Sequence, residues 1–420
     1  MLGLSTIIAF GVHIRHRLDA AAILTNLDVY FPPSKEYVMR WLIGFIDAEG
    51  NFQVFIDRNY LRVMFRIRLH IDDILVLKLI MAYLHVGQVT IDGNSAVYTI
   101  SNVDQLMAVL IPLIKKYGLV TTKLDDFNIF VSMVEHLVNS GTSRLDEATM
   151  AVVVELIKSI NRGRTSYTII DPSLITDEWL IGFIEGEGTF GIKNLMPYFS
   201  IGQHARSAVV LDRIKLVLSS LPNTFNFTQD SEPPVVTTTT NSRTNVISLS
   251  VQNIDSLYDY VIGFFLKNPF LSRKGYDFKL WLIVLYLYKW GYAYLPEGRA
   301  LILKISLHIN DGRYSTNPNA GPAPTTDEIN AVLALEVLVE RTEGINQLEF
   351  SKALARTFTR TVYIRDNGVL LNTTPYTSYG DAHQSIGLPR NSRAIGRNID
   401  TGKKFKNRYT FSSRMDDNST

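Results

Sequence analysis

The sequence predicts an α+β fold in which one αββαββα unit is built twice. The two copies meet through a pair of helices, and a small basic module follows at the C-terminal end. Three observations predict this. First, the stretch Trp41-Leu42-Ile43-Gly44-Phe45-Ile46-Asp47-Ala48-Glu49-Gly50 returns 138 residues later as Trp179-Leu180-Ile181-Gly182-Phe183-Ile184-Glu185-Gly186-Glu187-Gly188. Eight of the ten positions are identical and the other two, acid for acid and small residue for small residue, keep their type. Second, each copy is followed by segments whose apolar residues alternate with period two, the pattern of a strand with one buried face. Third, the succession of elements after each copy agrees, ending in Ile160-Asn161-Arg162-Gly163-Arg164 and Ile309-Asn310-Asp311-Gly312-Arg313.

Composition sets the limits. A chain of 420 residues with 46% hydrophobic and 20% charged residues is ordered and long enough for two or three domains. Without cysteine it has no disulfide framework and no thiolate metal site. The net charge of +2 hides an asymmetry: residues 351–420 hold 12 Lys/Arg and 5 Asp/Glu, so +7, which leaves −5 for the first 350. That excess points to nucleic-acid contact near the C-terminus. Any such contact by the rest of the chain must use a local stripe of charge.

Residues 1–37 form an extension. Leu2–Val12 is apolar but, at 11 residues, too short to span a bilayer, and His13, Arg15, His16 and Arg17 follow with no acid before Asp19. This pattern fits an acid-poor targeting segment; a surface helix or a remnant of an upstream reading frame fits equally. The first repeat occupies 38–161. Its motif is an apolar helix carrying Gly44, as Gly182 is carried in the second, although Gly inside a helix costs about 1 kcal/mol against Ala. The cost is tolerable where two helices pack backbone to backbone. Gly50 and Gly188 are expected in the left-handed turn that ends a helix. Glu49 and Glu187 then emerge side by side, where the helix macrodipole and mutual repulsion disfavour them. A hard divalent cation such as Mg²⁺ relieves both effects.

Phe52, Val54 and Ile56 alternate with Asn51, Gln53 and Phe55. In the next strand Leu61, Val63, Phe65, Ile67 and Leu69 form one face, and Arg62, Met64, Arg66 and Arg68 the other. The arginines therefore line one side of a sheet, suited to phosphates and base edges. A helix over 72–84, a hairpin around Asp92-Gly93-Asn94, a helix capped by Asn102 or Asp104, and helices from Thr121 and over 145–160 complete the unit. Residues 162–176 link to the second repeat, 177–315. There Phe190 and Ile192 match Phe52 and Val54, a strand ends in Gly202-Gln203-His204, and a hairpin over 223–252 contains a polar loop from Gln229 to Arg243. Lys193 and Ser200 are candidate contacts on these strands.

The stretch 316–358 reads as a linker and a helix near 326–341. The module, 359–411, reads as a hairpin turning at Asp366-Asn367-Gly368, then two helices about Gly387-Leu388-Pro389 like a helix-turn-helix, then basic and aromatic residues interleaved over 402–409. Its candidate nucleic-acid contacts are Arg393, Arg397, Lys403 and Lys404.

The paired motif resembles the signature of the LAGLIDADG homing endonucleases in their single-chain, two-repeat form, over roughly residues 38–315. The module resembles the small nuclease-associated DNA-binding domains appended to such enzymes. The resemblance implies antiparallel sheets forming a saddle over double-stranded DNA, a monomer, and a site-specific, metal-dependent endonuclease. Glu49 and Glu187 map onto the metal ligands, whereas Asp47 and Glu185 map onto structural acids. Lys123 and Lys274 map onto the active-site lysines, and Gln203 onto the polar residue ending the second strand. In the first repeat that last place falls at Leu69 or His70, so the halves differ. An intron maturase that holds group I intron RNA is the alternative role in this family. A transcription-factor-like binder explains the tail but leaves the paired carboxylates without purpose. The mitochondrion is the expected location, and no membrane partner is expected.

Overall fold

The computed structural model describes residues 33–160, 168, 171–228, 232–357 and 361–415. The expectations for Leu2–Val12 and for most of the linker lie outside these residues. Helix α1 (Lys35–Glu49) opens at Ser34, whose Oγ accepts from Tyr37 N at 3.1 Å. Strands β1 (Gly50–Asp57) and β2 (Tyr60–His70), helix α2 (Ile74–Leu84), strands β3 (Gln88–Asp92) and β4 (Ser95–Ile100) follow. Helix α3 is built in three pieces, Val103–Gln105, a π-helical turn Leu106–Leu110 and Ile111–Tyr117, and Asn102 caps it. Helices α4 (Lys123–Ser140) and α5 (Glu147–Ser159) close the unit.

The second unit repeats this: α6 (Asp177–Glu187), β5 (Gly188–Lys193), β6 (Met196–His204), α7 (Ala208–Ser219), β7 (Thr237–Asn241) and β8 (Val246–Val251). Helix α8, again in three pieces (Ile254–Ser256, π-helical Leu257–Val261, Ile262–Lys267), leads to α9 (Lys274–Lys289) and α10 (Pro296–His308). The sheets are antiparallel with matching orders, β1-β2-β4-β3 and β5-β6-β8-β7. The stretch read as loop from Gln229 to Arg243 thus contains β7, whose run of threonines is β-forming although polar.

Period-two alternation sets the layers. Leu61, Val63, Phe65 and Ile67 are buried under the helices, while Arg62 and Arg68 are exposed and Arg66 half-buried on the opposite face. Gly50 and Gly188 depart from expectation: their φ/ψ of −66/146° and −80/151° are extended, not left-handed. Each helix runs straight into a strand. Glycine is needed because a Cβ would lie 2.7 Å from the Ile46 carbonyl at Gly50, and 2.6 Å from that of Ile184 at Gly188.

After the second unit the chain packs back onto it. Helix α11 (Thr326–Leu333) buries Ile329 and Val332 in the main core, and α12 (Gln347–Thr357) buries Phe350 and Leu354. Between them Arg341 enters a buried ionic cluster, with Nη2 2.7 Å from Asp255 Oδ1. Lys289 Nζ completes it, 2.9 Å from Asp255 and 3.5 Å from Asp259.

The module has its own core of Val362, Ile364, Ala382, Ile395, Ile399 and Phe411. Strands β9 (Tyr363–Asp366) and β10 (Val369–Leu370) turn at Asn367-Gly368, where both φ angles are positive. Helices α13 (Tyr379–Ser385) and α14 (Ala394–Asn398) follow, tied where His383 Nε2 accepts from Ile395 N at 3.1 Å. A strand absent from the sequence reading, β11 (Tyr409–Ser412), pairs with β9, giving the order β10-β9-β11. Its four residues are too few for a periodic signal and follow a basic run. Arg414 reaches Glu297 on α10 at 2.6 Å.

Candidate active site

Helices α1 and α6 cross with their backbones in contact. A Cβ on Gly44 would lie 1.9 Å from the Trp179 carbonyl oxygen, and one on Gly182 would lie 2.0 Å from that of Trp41. The same contact is thus made from either side of a pseudo-twofold axis. Trp41 Nε1 donates to Glu185 Oε1 at 2.7 Å, and Trp179 Nε1 to Asp47 Oδ2 at 2.9 Å. Asp47 also accepts from Val120 N (2.9 Å), Thr121 N (3.1 Å) and Thr121 Oγ1 (2.6 Å). Glu185 accepts from Leu271 N (2.8 Å) and Ser272 N (2.6 Å). Burial pushes both carboxyls up and these hydrogen bonds pull them down. Both acids are joints that hold the start of α4 or α9 to the helix pair.

The next acids differ. Glu49 and Glu187 stand where the two helices end, and the contact between helices leaves little room. A Cβ on Gly186 would meet the Ala48 methyl at 2.4 Å and Glu49 Oε1 at 3.2 Å, so only one of the two facing positions can carry a methyl. Burial raises the Glu49 carboxyl, opposed by Lys123 and Lys274. Glu187 is pushed up to about 7, first by burial and then by the Glu49 charge, against Lys123, a hydrogen bond from Gln203, and Lys274. Lys123 Nζ donates to the Ala48 and Ile46 carbonyls at 2.7 and 3.1 Å, and Lys274 Nζ to that of Gly188 at 2.9 Å. Burial lowers both lysines, with acids opposing.

The site is interlaced. A cleft of about 190 Å³ is lined by Lys123, Thr122 and Asp126 from the first unit and by Glu187, Gln203, Arg206 and Ser207 from the second. On the other side Lys274 from the second unit senses Asp73 from the first, and so does Glu49. Each lysine thus works beside the strand end of the other repeat. The register settles the counterpart of Gln203. Gly50 pairs with Ile67 and Gly188 with Ile201, so two residues on, Leu69 matches Gln203 and His70 matches His204. Gln203 lies on the inward face of β6, with Phe199 and Ile201, and turns a polar group under the helix ends.

Asp126, Arg206 and Ser207 carry no mark in the sequence reading, and Asp73 only that of a cap, with Asp72, for the helix over 72–84; it stands at that cap position without a side-chain cap hydrogen bond. A signal existed for Asp126, because Lys-x-x-Asp recurs as Lys123–Asp126 and Lys274–Asp277. Arg206 had none, and nothing placed Asp73 at the site, since their places depend on the turn that ends each second strand.

The donor set suits a hard divalent cation. Two carboxylates that repel each other stand at the ends of two helices and offer hard oxygen ligands, while Lys123 and Lys274 occupy the helix-end carbonyls. Among the described residues no group of three or more acids or histidines forms a complete cage. That fits Mg²⁺, which takes one or two carboxylates and fills its shell with water and substrate phosphate.

The remaining candidates lie outside this centre. Gln53, Arg62 and Arg66 share the outer face of the first sheet, where Arg66 is flanked by Asn51 and Thr99 and Arg62 by Phe55. Arg68 donates to Asp92 at 2.8 Å. Ser200 sits between Thr189 and Ser250 on the outer face of the second sheet, and Lys193 is exposed at the end of β5. Arg393, Arg397, Lys403 and Lys404 are exposed on the module, with Arg393 and Arg397 one turn apart.

The pattern of the LAGLIDADG endonuclease family matches residues 42–134 and 180–285, once per repeat. The chain belongs to the LAGLIDADG endonuclease family. Its relatives include the uncharacterized mitochondrial protein RF1 of Saccharomyces cerevisiae, 25% identical over 391 residues, covering 88% of this chain and 80% of that one. Probable intron-encoded endonuclease 3 of Neurospora crassa is 22% identical over 261 residues, covering 57% of this chain and 48% of its own length. Two solved structures share the LAGLIDADG fold. I-SmaMI bound to uncleaved DNA target in the presence of calcium ions has a TM-score of 0.55 at 23% identity, covering 65% of this chain and 98% of that one. I-LtrWI bound to target DNA has 0.56 at 20%, covering 66% and 99%. Among the described residues no helix is long and apolar enough to cross a membrane.

Proposed function

We propose that this chain is an intron-encoded, site-specific endonuclease that cuts both strands of a DNA duplex by metal-dependent hydrolysis, acting as a monomer. The observation that carries this is the meeting of Glu49 and Glu187 at the ends of two helices, each beside a half-buried lysine. Glu49 and Glu187 would hold the divalent cation, Mg²⁺ or another of its class, which when bound activates water and stabilises charge on the leaving oxygen. Lys123 and Lys274 place positive charge beside the carboxylates while bracing the helix ends. The Gln203 amide donates to Glu187, which leaves its carbonyl to accept from a water and orient it. The arginine face of the first sheet and the hydroxyl-lined face of the second would follow the duplex on either side, with the module extending the contact. Two half-sites in one chain need no second subunit. Paired, half-buried carboxylates favour cleavage over the holding of intron RNA, because they destabilise a protein that only binds. The mitochondrial relative supports a mitochondrial location.

The test is incubation with a pool of duplexes spanning candidate insertion sites plus Mg²⁺, followed by end-mapping. Double-strand ends at one sequence are expected. Folded protein that cuts none of the pool, or cuts without preference, would overturn the reading.

A further inference from the structure

We propose that the C-terminal module grips duplex DNA on one flank only, outside the half of the target that lies under the second sheet, so that the full recognition site is lopsided. This rests on the nuclease reading above and adds to it the side on which the extra contact falls.

The anchorage of the module carries the argument. Helix α9 starts at the centre, where Lys274 Nζ donates to the Gly188 carbonyl at 2.9 Å. It runs outward along the inner face of the second sheet. Trp281 Nε1 donates at 3.0 Å to the carbonyl of Tyr198, close to the outer start of β6. Sixteen residues at about 1.5 Å each carry the end of α9 about 24 Å from the centre. The buried ionic cluster stands at that end. Lys289 Nζ, besides its two acids, donates to Thr228 Oγ1 at 2.7 Å and lies 4.7 and 4.8 Å from the Phe227 and Tyr258 ring centres. Arg341, bound to Asp255, also donates to the Lys289 carbonyl at 3.2 Å. Gln347 N donates to Asp255 Oδ2 at 2.6 Å, and Gly344 N to the Phe227 carbonyl at 2.9 Å. Pulling this segment away would leave Lys289 and both acids buried without their partner, so it stays bolted to the outer end of the second unit.

Both ends of the module attach there. Helix α12 ends at Thr357, and the four peptide steps to Thr361 span at most about 14 Å. At the other end Arg414 reaches Glu297, in the first turn of α10, at 2.6 Å. One tether would let the module swing; two confine it to the second unit. Among the described residues the first unit carries no counterpart.

The charge of the module fits a DNA backbone. Residues 361–415 hold nine Lys/Arg and three Asp/Glu, so +6. All three acids are engaged within the module: Asp366 by Arg408 Nε at 2.6 Å, Asp381 by Arg390 at 2.8 Å and Asp400 by Ser413 N at 2.6 Å. Arg393, Arg397, Lys403 and Lys404 are exposed and, among the described residues, make no ion pair. A body of this size is about 25 Å across and covers about 7 base pairs of duplex.

The chain has no cysteine, so a single introduced thiol can carry an iron chelate that cuts DNA within its reach. Three exposed positions serve: Asp57 at the outer end of β1, Met196 at the outer end of β6, and Asn391 between α13 and α14. Each is changed to Cys in the Glu187→Gln background, which is expected to hold the duplex uncut. The probe is the duplex recovered from the pool. Labels at Asp57→Cys and Met196→Cys should cut on opposite flanks of the centre. The label at Asn391→Cys should cut on the Met196 flank, about 7 base pairs outside the Met196 cuts. Trimming the outer base pairs from that flank should weaken binding by on the order of tenfold, through lost counterion release, and trimming the other flank should change nothing. The proposal is overturned by module cuts on the Asp57 flank, between the cuts of the two sheets, or nowhere on the duplex, and equally by two trims of equal effect. Failure of the nuclease reading looks different: the unmodified chain leaves every duplex whole. A duplex enriched from the same pool by gel shift then serves as the probe, and the side on which the module cuts still decides.

Discussion

Replacing Glu187 with Gln should make the metal-free protein more stable at neutral pH while abolishing cleavage. In the folded chain this carboxyl is raised from the ordinary 4.5 to about 7, by burial and by Glu49 beside it. A raised folded value means that the folded state holds the proton more tightly. The stability this contributes is fully present below pH 4.5 and is lost as pH rises through 7. The rise amounts to about 3 kcal/mol. A glutamine keeps the shape and the contact with Gln203 but has no charge to bury. The stability of Glu187→Gln relative to wild type should therefore be constant near pH 4 and grow by about 3 kcal/mol by pH 8, with Glu49 relieved in the same step because the pair titrates together. Urea unfolding in EDTA at intervals from pH 4 to 8 reads this difference directly, and the same preparations with Mg²⁺ report cleavage. A difference flat across that range would refute the electrostatic account of the site. Full cleavage by the variant would refute the role given to Glu187.

Gly44→Ala places a methyl against the Trp179 carbonyl, and backbone on both sides cannot step aside. Overpacking of about 3 kcal/mol, less about 1 for helix propensity, should lower stability by about 2 kcal/mol, measured by thermal unfolding. Arg341→Ala strips a partner from the buried Asp255 and should cost about 3–5 kcal/mol, and an unchanged urea midpoint would contradict the ionic cluster. Arg62, Arg66 and Arg68, each changed to Ala and profiled on single-base variants of the target, should show at least one position-specific relaxation of about 1–3 kcal/mol; uniform weakening by all three would make them phosphate clamps. Truncation after Thr357, which spares the packed helices α11 and α12, should weaken binding and flatten its salt dependence, and an unchanged salt slope would remove the module from the DNA contact.

Much of the architecture was legible because its signals are local. A ten-residue motif repeated at a distance of 138, glycines inside apolar helices, and period-two strands are properties of short windows. They sufficed for two αββαββα units, a backbone-close helix pair, and an arginine face opposite a core face. Shorter or atypical elements escaped. Strand β7 hides in a polar run and β11 has four residues, so neither shows periodicity, and both form because a neighbouring strand offers its edge. The conformation of Gly50 and Gly188 was misjudged for a similar reason. Whether a glycine ends a helix by turning or by running on depends on the strand that receives it.

The sequence by itself determined which residues carry charge to the centre: Glu49 and Glu187, since each ends a motif helix, and Lys123 and Lys274, since each opens the helix at the matching place. Only the tertiary structure decided how they combine. Lys123 faces Gln203 and Lys274 faces Asp73, across the repeats rather than within them. The crossing of α1 and α6 at their glycines brings each helix end against the other unit's sheet, and no spacing along one chain encodes that exchange. The same crossing decides which acids are joints and which are free: Asp47 and Glu185 point at the partner's tryptophan, and one helical step further Glu49 and Glu187 pass the contact and stand open.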